Sequence, residues 1–253
     1  MKTSLFLFIM CFCASLIAQS NQNGQVIYEK IFDYDFGDYK GNPAWEAYLA
    51  DLPKQGRSKF VLSFNENHAF YEKDMANETA VPEKLQNALG KASYGKAPKP
   101  ETHQVFYDFE NGKQTEQVEF MTRSFQVNSE LPTQAWKLTN KRKKVLDYVC
   151  IGAELTLGEE IYTAWFSSEI PISAGPSIYY GLPGLILAVE KSEAVFILAT
   201  KIDLSVLPIN LESKLKDGKQ MSRKNFDETV AEKTEEYNAA TKSKARGLIK
   251  KGE

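Results

Sequence analysis

Residues 185–202, Leu-Ile-Leu-Ala-Val-Glu-Lys-Ser-Glu-Ala-Val-Phe-Ile-Leu-Ala-Thr-Lys-Ile, constrain the fold more than any other part of the chain. Two apolar runs are separated by a short polar Lys-Ser-Glu break, which reads as a strand, a turn and a second strand. In the first run Leu185, Leu187 and Val189 lie on one side and Ile186 and Ala188 on the other. In the second, Val195, Ile197 and Ala199 oppose Phe196, Leu198 and Ile202. A strand wetted on one side alternates apolar with polar residues, so two-sided apolar strands belong in the middle of a sheet covered on both faces. Helix 43–52 and the long loops are the covering expected, with an apolar ligand cavity as the alternative.

The rest of the chain reads as short strands and turns. "GQVIYEKIFDYDF" alternates Val26, Tyr28, Phe32 and Tyr34, and "RSKFVLSFNENHAFYEK" places Phe60, Leu62 and Phe64 before a polar turn at Asn65–Asn67. Asn111-Gly112 lies between two alternating runs and predicts a two-residue hairpin turn. "KVLDYVCIG" and "EEIYTAWFS" add strands, with Gly158 as a break. Pro43 follows a capping residue, Asn42, and Trp45, Tyr48, Leu49 and Leu52 share a helical face, which predicts a short packed helix. Asn225 and Glu228 have capping-box spacing ahead of a thin stripe at Phe226, Val230 and Tyr237, which predicts a solvated helix from about 225 to the basic end of the chain. Residues 87–101, rich in Gly, Pro and Lys without periodicity, predict a mobile loop. The expected fold is β-rich α+β: a curved antiparallel meander with one short helix near the N-terminus and a solvated C-terminal helix, in a single domain from residue 21 to residue 253.

Residues 1–20 carry Lys2 as their sole charge and an apolar stretch from Leu5 to Ala18, the pattern of a secretory signal peptide cleaved after Ala18 or Ser20. Cys11 and Cys13 lie inside that stretch behind Met10 and Phe12, which does not suit lipid attachment. The stretch is short for a membrane span, and no later segment approaches 18 apolar residues, so no transmembrane segment is expected after cleavage. Export leaves Cys150 as the single cysteine, predicted to be a buried thiol. With 31 basic and 33 acidic residues spread along the chain, nucleic acid is not an expected partner.

Chemistry-bearing motifs are sparse. His68, placed in a hairpin turn, and His103, at a strand start, have no metal-ligand spacing, and the carboxylates Glu159, Glu160, Glu190, Glu193, Glu235 and Glu236 read as surface groups. No cofactor, catalytic or metal site is expected. The densest concentration of special residues is 162–190: Pro171, Gly175 and Pro176 break an irregular connection, and Leu182-Pro183-Gly184-Leu185 predicts a type II turn. That connection reads either as a tight return between strands or as a contact surface in which Trp165, Tyr179 and Tyr180 meet a ligand or partner.

This stretch resembles the GLPGLI family of secreted Bacteroidota proteins through Gly181, Leu182, Pro183, Gly184, Leu185 and Ile186. The likeness extends upstream through "AWFSSEIPISAGP" and through Tyr148, Cys150 and Ala153, and fades after Ile202. It implies a β-rich exported protein of a Gram-negative envelope, periplasmic or outer-membrane-associated, with no established activity. The two-sided apolar strands and the missing catalytic set give the expected function, non-enzymatic binding of an apolar ligand or an envelope partner through the covered face of the sheet and the 170–184 connection. The alternative is a hydrolase-like enzyme built from His68 or carboxylates brought together by the fold.

Overall fold

The computed structural model describes residues 23–37, 42–192, 194–206 and 210–249, so the predicted signal peptide lies outside the described residues. The chain runs β1 (Gly24–Asp33), α1 (Pro43–Leu49), β2 (Gln55–Phe64), β3 (His68–Lys73), α2 (Glu83–Ser93), β4 (Glu101–Asp108), β5 (Lys113–Phe120), β6 (Arg123–Glu130) and β7 (Lys137–Val145). It continues through β8 (Tyr148–Leu157), β9 (Glu160–Ser167), β10 (Leu185–Lys191), β11 (Ala194–Asp203), β12 (Lys219–Ser222) and α3 (Arg223–Ile249).

The described strands form one open, mixed, 12-stranded sheet in the order β12-β6-β5-β4-β3-β2-β1-β11-β10-β9-β8-β7. Two antiparallel meanders, β1–β6 and β7–β11, are joined where β1 pairs with β11; Val26 lies opposite Ile202 on one side and Leu62 on the other. The parallel element is β12, which runs alongside β6 from Lys219 opposite Phe125. The β-rich fold expected from the patterning is the one observed. β10 is central, and its residues from Leu185 to Val189 are all buried, as two-sided apolarity requires. β11 departs from that expectation: Ile197 and Ala199 are buried, but Leu198 and Thr200 are exposed.

By register, Tyr28, Leu62, Tyr71 and Tyr107 share one face of the sheet. Irregular segment 168–184 covers this face, with Ile170, Ile172, Ala174, Tyr179, Tyr180 and Leu182 all buried. Phe70 and Phe106, on the opposite face, meet Leu211 and Leu215 in a smaller cluster. Helix α1 does not supply the cover. It is capped by the Asn42 side chain, which accepts from the Trp45 N–H, and its Trp45, Tyr48 and Leu49 pack with Leu52, Leu85 and Ala88 into a separate cluster.

Other expectations are corrected. Residues 87–93, expected to be loop, belong to α2, whose Leu85, Ala88 and Ala92 are buried. The Asn111 hairpin has a four-residue loop, 109–112, because Asp108 pairs with Lys113 and its carboxylate accepts the Asn111 N–H. "KVLDYVCIG" is not one strand: Val145 pairs with Tyr148 around a turn at Leu146-Asp147. α3 starts at Arg223, and Ser222, not Asn225, is the cap, its hydroxyl accepting the Asn225 N–H at 3.3 Å.

Candidate functional site

Segment 168–184 is fixed by its backbone. Leu185 N–H donates to the Ile170 carbonyl (2.9 Å), Gly181 N–H to Ser173 (2.9 Å) and Ile186 N–H to Ala174 (3.1 Å). Aromatic side chains from elsewhere tie it further: the Tyr107 hydroxyl donates to the Ser177 carbonyl, and the Trp136 indole N–H donates to Tyr180 (2.7 Å). The Tyr180 hydroxyl reaches back to the Pro132 carbonyl (2.7 Å), and Tyr28 donates to the Ile186 carbonyl (2.6 Å) at the segment's junction with β10. Burial pushes the Tyr28 and Tyr107 phenols well above the ordinary tyrosine range, because a phenolate there would lose its solvation.

The expected type II turn is absent. Gly184 N–H donates to Leu182 (2.8 Å), which closes a three-residue turn centred on Pro183, while Leu185 N–H is already committed to Ile170. Gly184 is needed for close approach: a Cβ there would stand 2.6 Å from the Ser167 carbonyl carbon, at a backbone φ of 156°. At Gly175 a Cβ would stand 2.8 Å from the Ile186 Cβ. Both positions press the segment onto β9 or β10. Trp165, Tyr179 and Tyr180, expected as contacts for a ligand or partner, are buried with Leu182, Leu185 and Ile186 in the main core. Within the motif Leu182, Gly184, Leu185 and Ile186 are buried, while Gly181 and Pro183 are exposed.

The remaining candidate residues are dispersed. Cys150 is buried on β8, and burial raises its thiol to about 11. Opposite it on β7, Lys143 forms an ion pair with Glu190 (2.5 Å) and lies 4.4 Å from the Trp165 ring centroid. Glu190 is thus a half-buried strand residue, not the exposed surface group expected. Glu169 accepts the Val149 N–H at 3.2 Å. His68 opens β3, 3.8 Å from Asp108 and stacked on Phe106. His103 lies 3.3 Å from Glu119 and lines a polar pocket of about 510 Å³ with Glu72, Asp74, Gln104 and Lys216. None of these contacts joins His68 or His103 to Glu169 or Glu190, the kind of convergence a hydrolase site would need. Among the described residues no group of three His, Cys, Asp or Glu side chains is arranged to hold a metal ion.

An apolar opening beside helix α3 was missed by sequence reasoning. Helix α3 is anchored by Phe226, buried among Val118, Phe120, Phe125 and Val127, and by an ion pair from Arg223 to Glu116. Beyond that anchor a groove of about 750 Å³ runs between α3 and the sheet, lined by Val118, Phe226, Val230 and Ala231, with Thr234 and Lys242 further along. The stripe at Phe226 and Val230 was the available signal, but its far wall, at Pro100 and Thr102, is more than 120 residues away in sequence.

A family described as "Protein of unknown function (Porph_ging)" matches residues 154–188, which span the end of β8, β9, the buried connection and the start of β10. No curated protein matches the chain. Among solved structures, PNGF-II is similar in two crystal forms, C2 and P21, each at a TM-score of 0.55 and 14% identity over 83% of this chain. The match spans about a third of PNGF-II, 32% and 33% of the two chains, and it establishes likeness of fold alone. Among the described residues no helix is long and apolar enough to cross a membrane.

Proposed function

We propose that this is an exported envelope protein of the GLPGLI type that acts without catalysis, by holding an apolar ligand in the groove beneath α3. The groove carries the reading. Its volume of about 750 Å³ falls in the range of small-molecule sites, and its inner end is walled by Val118, Phe226, Val230 and Ala231. Export is supported by the Leu5–Ala18 stretch behind Lys2.

Binding is tested with cis-parinaric acid, a fluorescent acyl chain, against wild-type protein and Val230→Trp, which fills the groove. At least tenfold weaker binding by the variant at an unchanged melting temperature is expected. Equal binding by the two proteins would overturn the reading. Export is tested separately by N-terminal sequencing of protein from the host, which should begin at residue 19 or 21.

A further inference from the structure

The two edges of the sheet are treated differently. β12, at one edge, is four residues long and continues directly into α3. β7, at the other, is nine residues long and has no strand beyond it among the described residues. Its sequence, Lys-Leu-Thr-Asn-Lys-Arg-Lys-Lys-Val, holds five cations.

Lysine-rich edges guard sheets against pairing with other chains, and the irregular register between Leu138 and Arg142 acts the same way. A guard explains the cations. It does not explain the aliphatic side chains beside them: Leu138 is 63% exposed, Leu146 at the hairpin turn 42% and Val149 on β8 52%. Exposed aliphatics would defeat a guard, since they favour association. The pairings Arg142–Ile151 and Lys144–Val149 place Arg142, Lys144 and Val149 on one face of the β7–β8 hairpin beside the turn at Leu146, with Leu138 beyond the irregular register, so cations and aliphatics stand side by side.

The nearby carboxylates offset only part of this charge. Glu190 takes Lys143, Glu154 lies 3.9 Å from Lys141, and Asp147, itself almost fully exposed, lies 3.5 Å from Lys144. Glu169 accepts the Val149 N–H. Lys137 and Arg142 have no carboxylate partner among the described residues.

We infer that the β7–β8 hairpin docks on an anionic bilayer, with Leu146, Val149 and Leu138 entering the headgroup region and Arg142, Lys144 and Lys137 meeting lipid phosphates. Aliphatic residues interleaved with cations are what an anionic interface selects, because burial and attraction act together there. A second copy of this chain is a poor occupant, since two such edges would bring like charges together. The surface is separate from the α3 groove, so either assignment can fail without the other.

The test is sedimentation of the full chain with phosphatidylcholine vesicles, with and without phosphatidylglycerol, at low and high salt. Lys2, residues 5–18 and the basic residues after Thr241 are the same in every protein compared, so the difference between wild type and the hairpin variants isolates the hairpin. Wild-type protein should prefer anionic vesicles, and salt should weaken that preference. Arg142→Glu/Lys144→Glu should reduce anionic binding by roughly 25-fold or more, at about five-fold per cation. Leu146→Ser/Val149→Ser should reduce it as well, while Lys201→Glu on β11 and Val230→Trp should not. Thermal melts establish that each variant is folded. Equal binding to both vesicle types, unchanged binding by the hairpin variants, or capture by polyglutamate beads but not by vesicles would overturn the assignment.

Discussion

Residues 168–184 contain no helix or strand, whereas α3 is 27 residues of regular helix, and yet it is the irregular segment that is built into the core. Ile170, Ile172, Ala174 and Leu182 are buried against the sheet, while α3 beyond Phe226 has only half-buried or exposed side chains as far as they are described. Repetitive backbone hydrogen bonding shapes a segment locally, but what holds it to the rest of a protein is the apolar surface it buries and the polar groups it satisfies elsewhere. The connection does both. The helix satisfies itself and contributes one buried ring.

Substitutions in the two regions should separate these roles, and the largest effect on global melting is expected at Gly184. A methyl group there collides with the Ser167 backbone, at a φ that residues with side chains rarely adopt. Overpacking costs about 1–3 kcal/mol and strain about 1–2 kcal/mol. Gly184→Ala should therefore lose about 3 kcal/mol and lower the melting temperature by roughly 6–12 °C for a chain of this size. Calorimetry that finds the variant as stable as wild type would remove the connection from the core.

Tyr28→Phe comes next. It leaves the Ile186 carbonyl, buried at the junction of the connection and β10, without its donor. Stranding a buried acceptor costs about 2 kcal/mol, so a drop of roughly 4–8 °C is expected. An unchanged melting temperature would show that another donor reaches that carbonyl.

Phe226→Ala should move global melting least, although it deletes the most buried of the described side chains of α3. If the helix opens as its own unit, the loss is confined to its docking: amide exchange in α3 should accelerate on the order of 100-fold while exchange in β9 and β10 stays unchanged. Faster exchange across the whole sheet would merge the two regions into one cooperative unit.

What the sequence revealed follows the same division. Periodicity reports which side of an element is apolar, so the central place of β10 and the stripe of α3 could be read directly. Asn42 and the Asn65–Asn67 turn were visible because their side chains act on neighbouring backbone. The turns at Met121-Thr122 and Leu146-Asp147 were not, because Met121, Thr122 and Leu146 adopt positive φ without the Asn-Gly signature. α2 was hidden by Gly90, Lys91 and Ser93, residues of loop-like composition on a helix held by Leu85 and Ala88. Gly184 was legible as a glycine with positive φ, but its contact with Ser167, 17 residues earlier, was not, since contacts of that range leave no local pattern. The α3 groove and the β7–β8 face were missed alike, since each exists only between segments.

Cys150 offers the mildest perturbation and a direct reporter of the comparison. Buried on β8, its thiol is held near 11, whereas an unfolded cysteine ionises near 8.5. The unfolded chain therefore gives up this proton first as pH rises. The stabilisation from the protonated thiol is complete below about pH 8.5 and is lost as pH climbs toward 11. The raised phenols of Tyr28, Tyr71 and Tyr107 act in the same direction at still higher pH. At neutral pH, labelling by a maleimide should require opening of the sheet, so native protein should react far more slowly than protein in denaturant. Gly184→Ala should accelerate native labelling, because the connection lies in the same core as Cys150, and Phe226→Ala should leave it unchanged. Fast labelling of the wild type would place the thiol outside the core. Acceleration by Phe226→Ala would show that α3 secures the sheet after all.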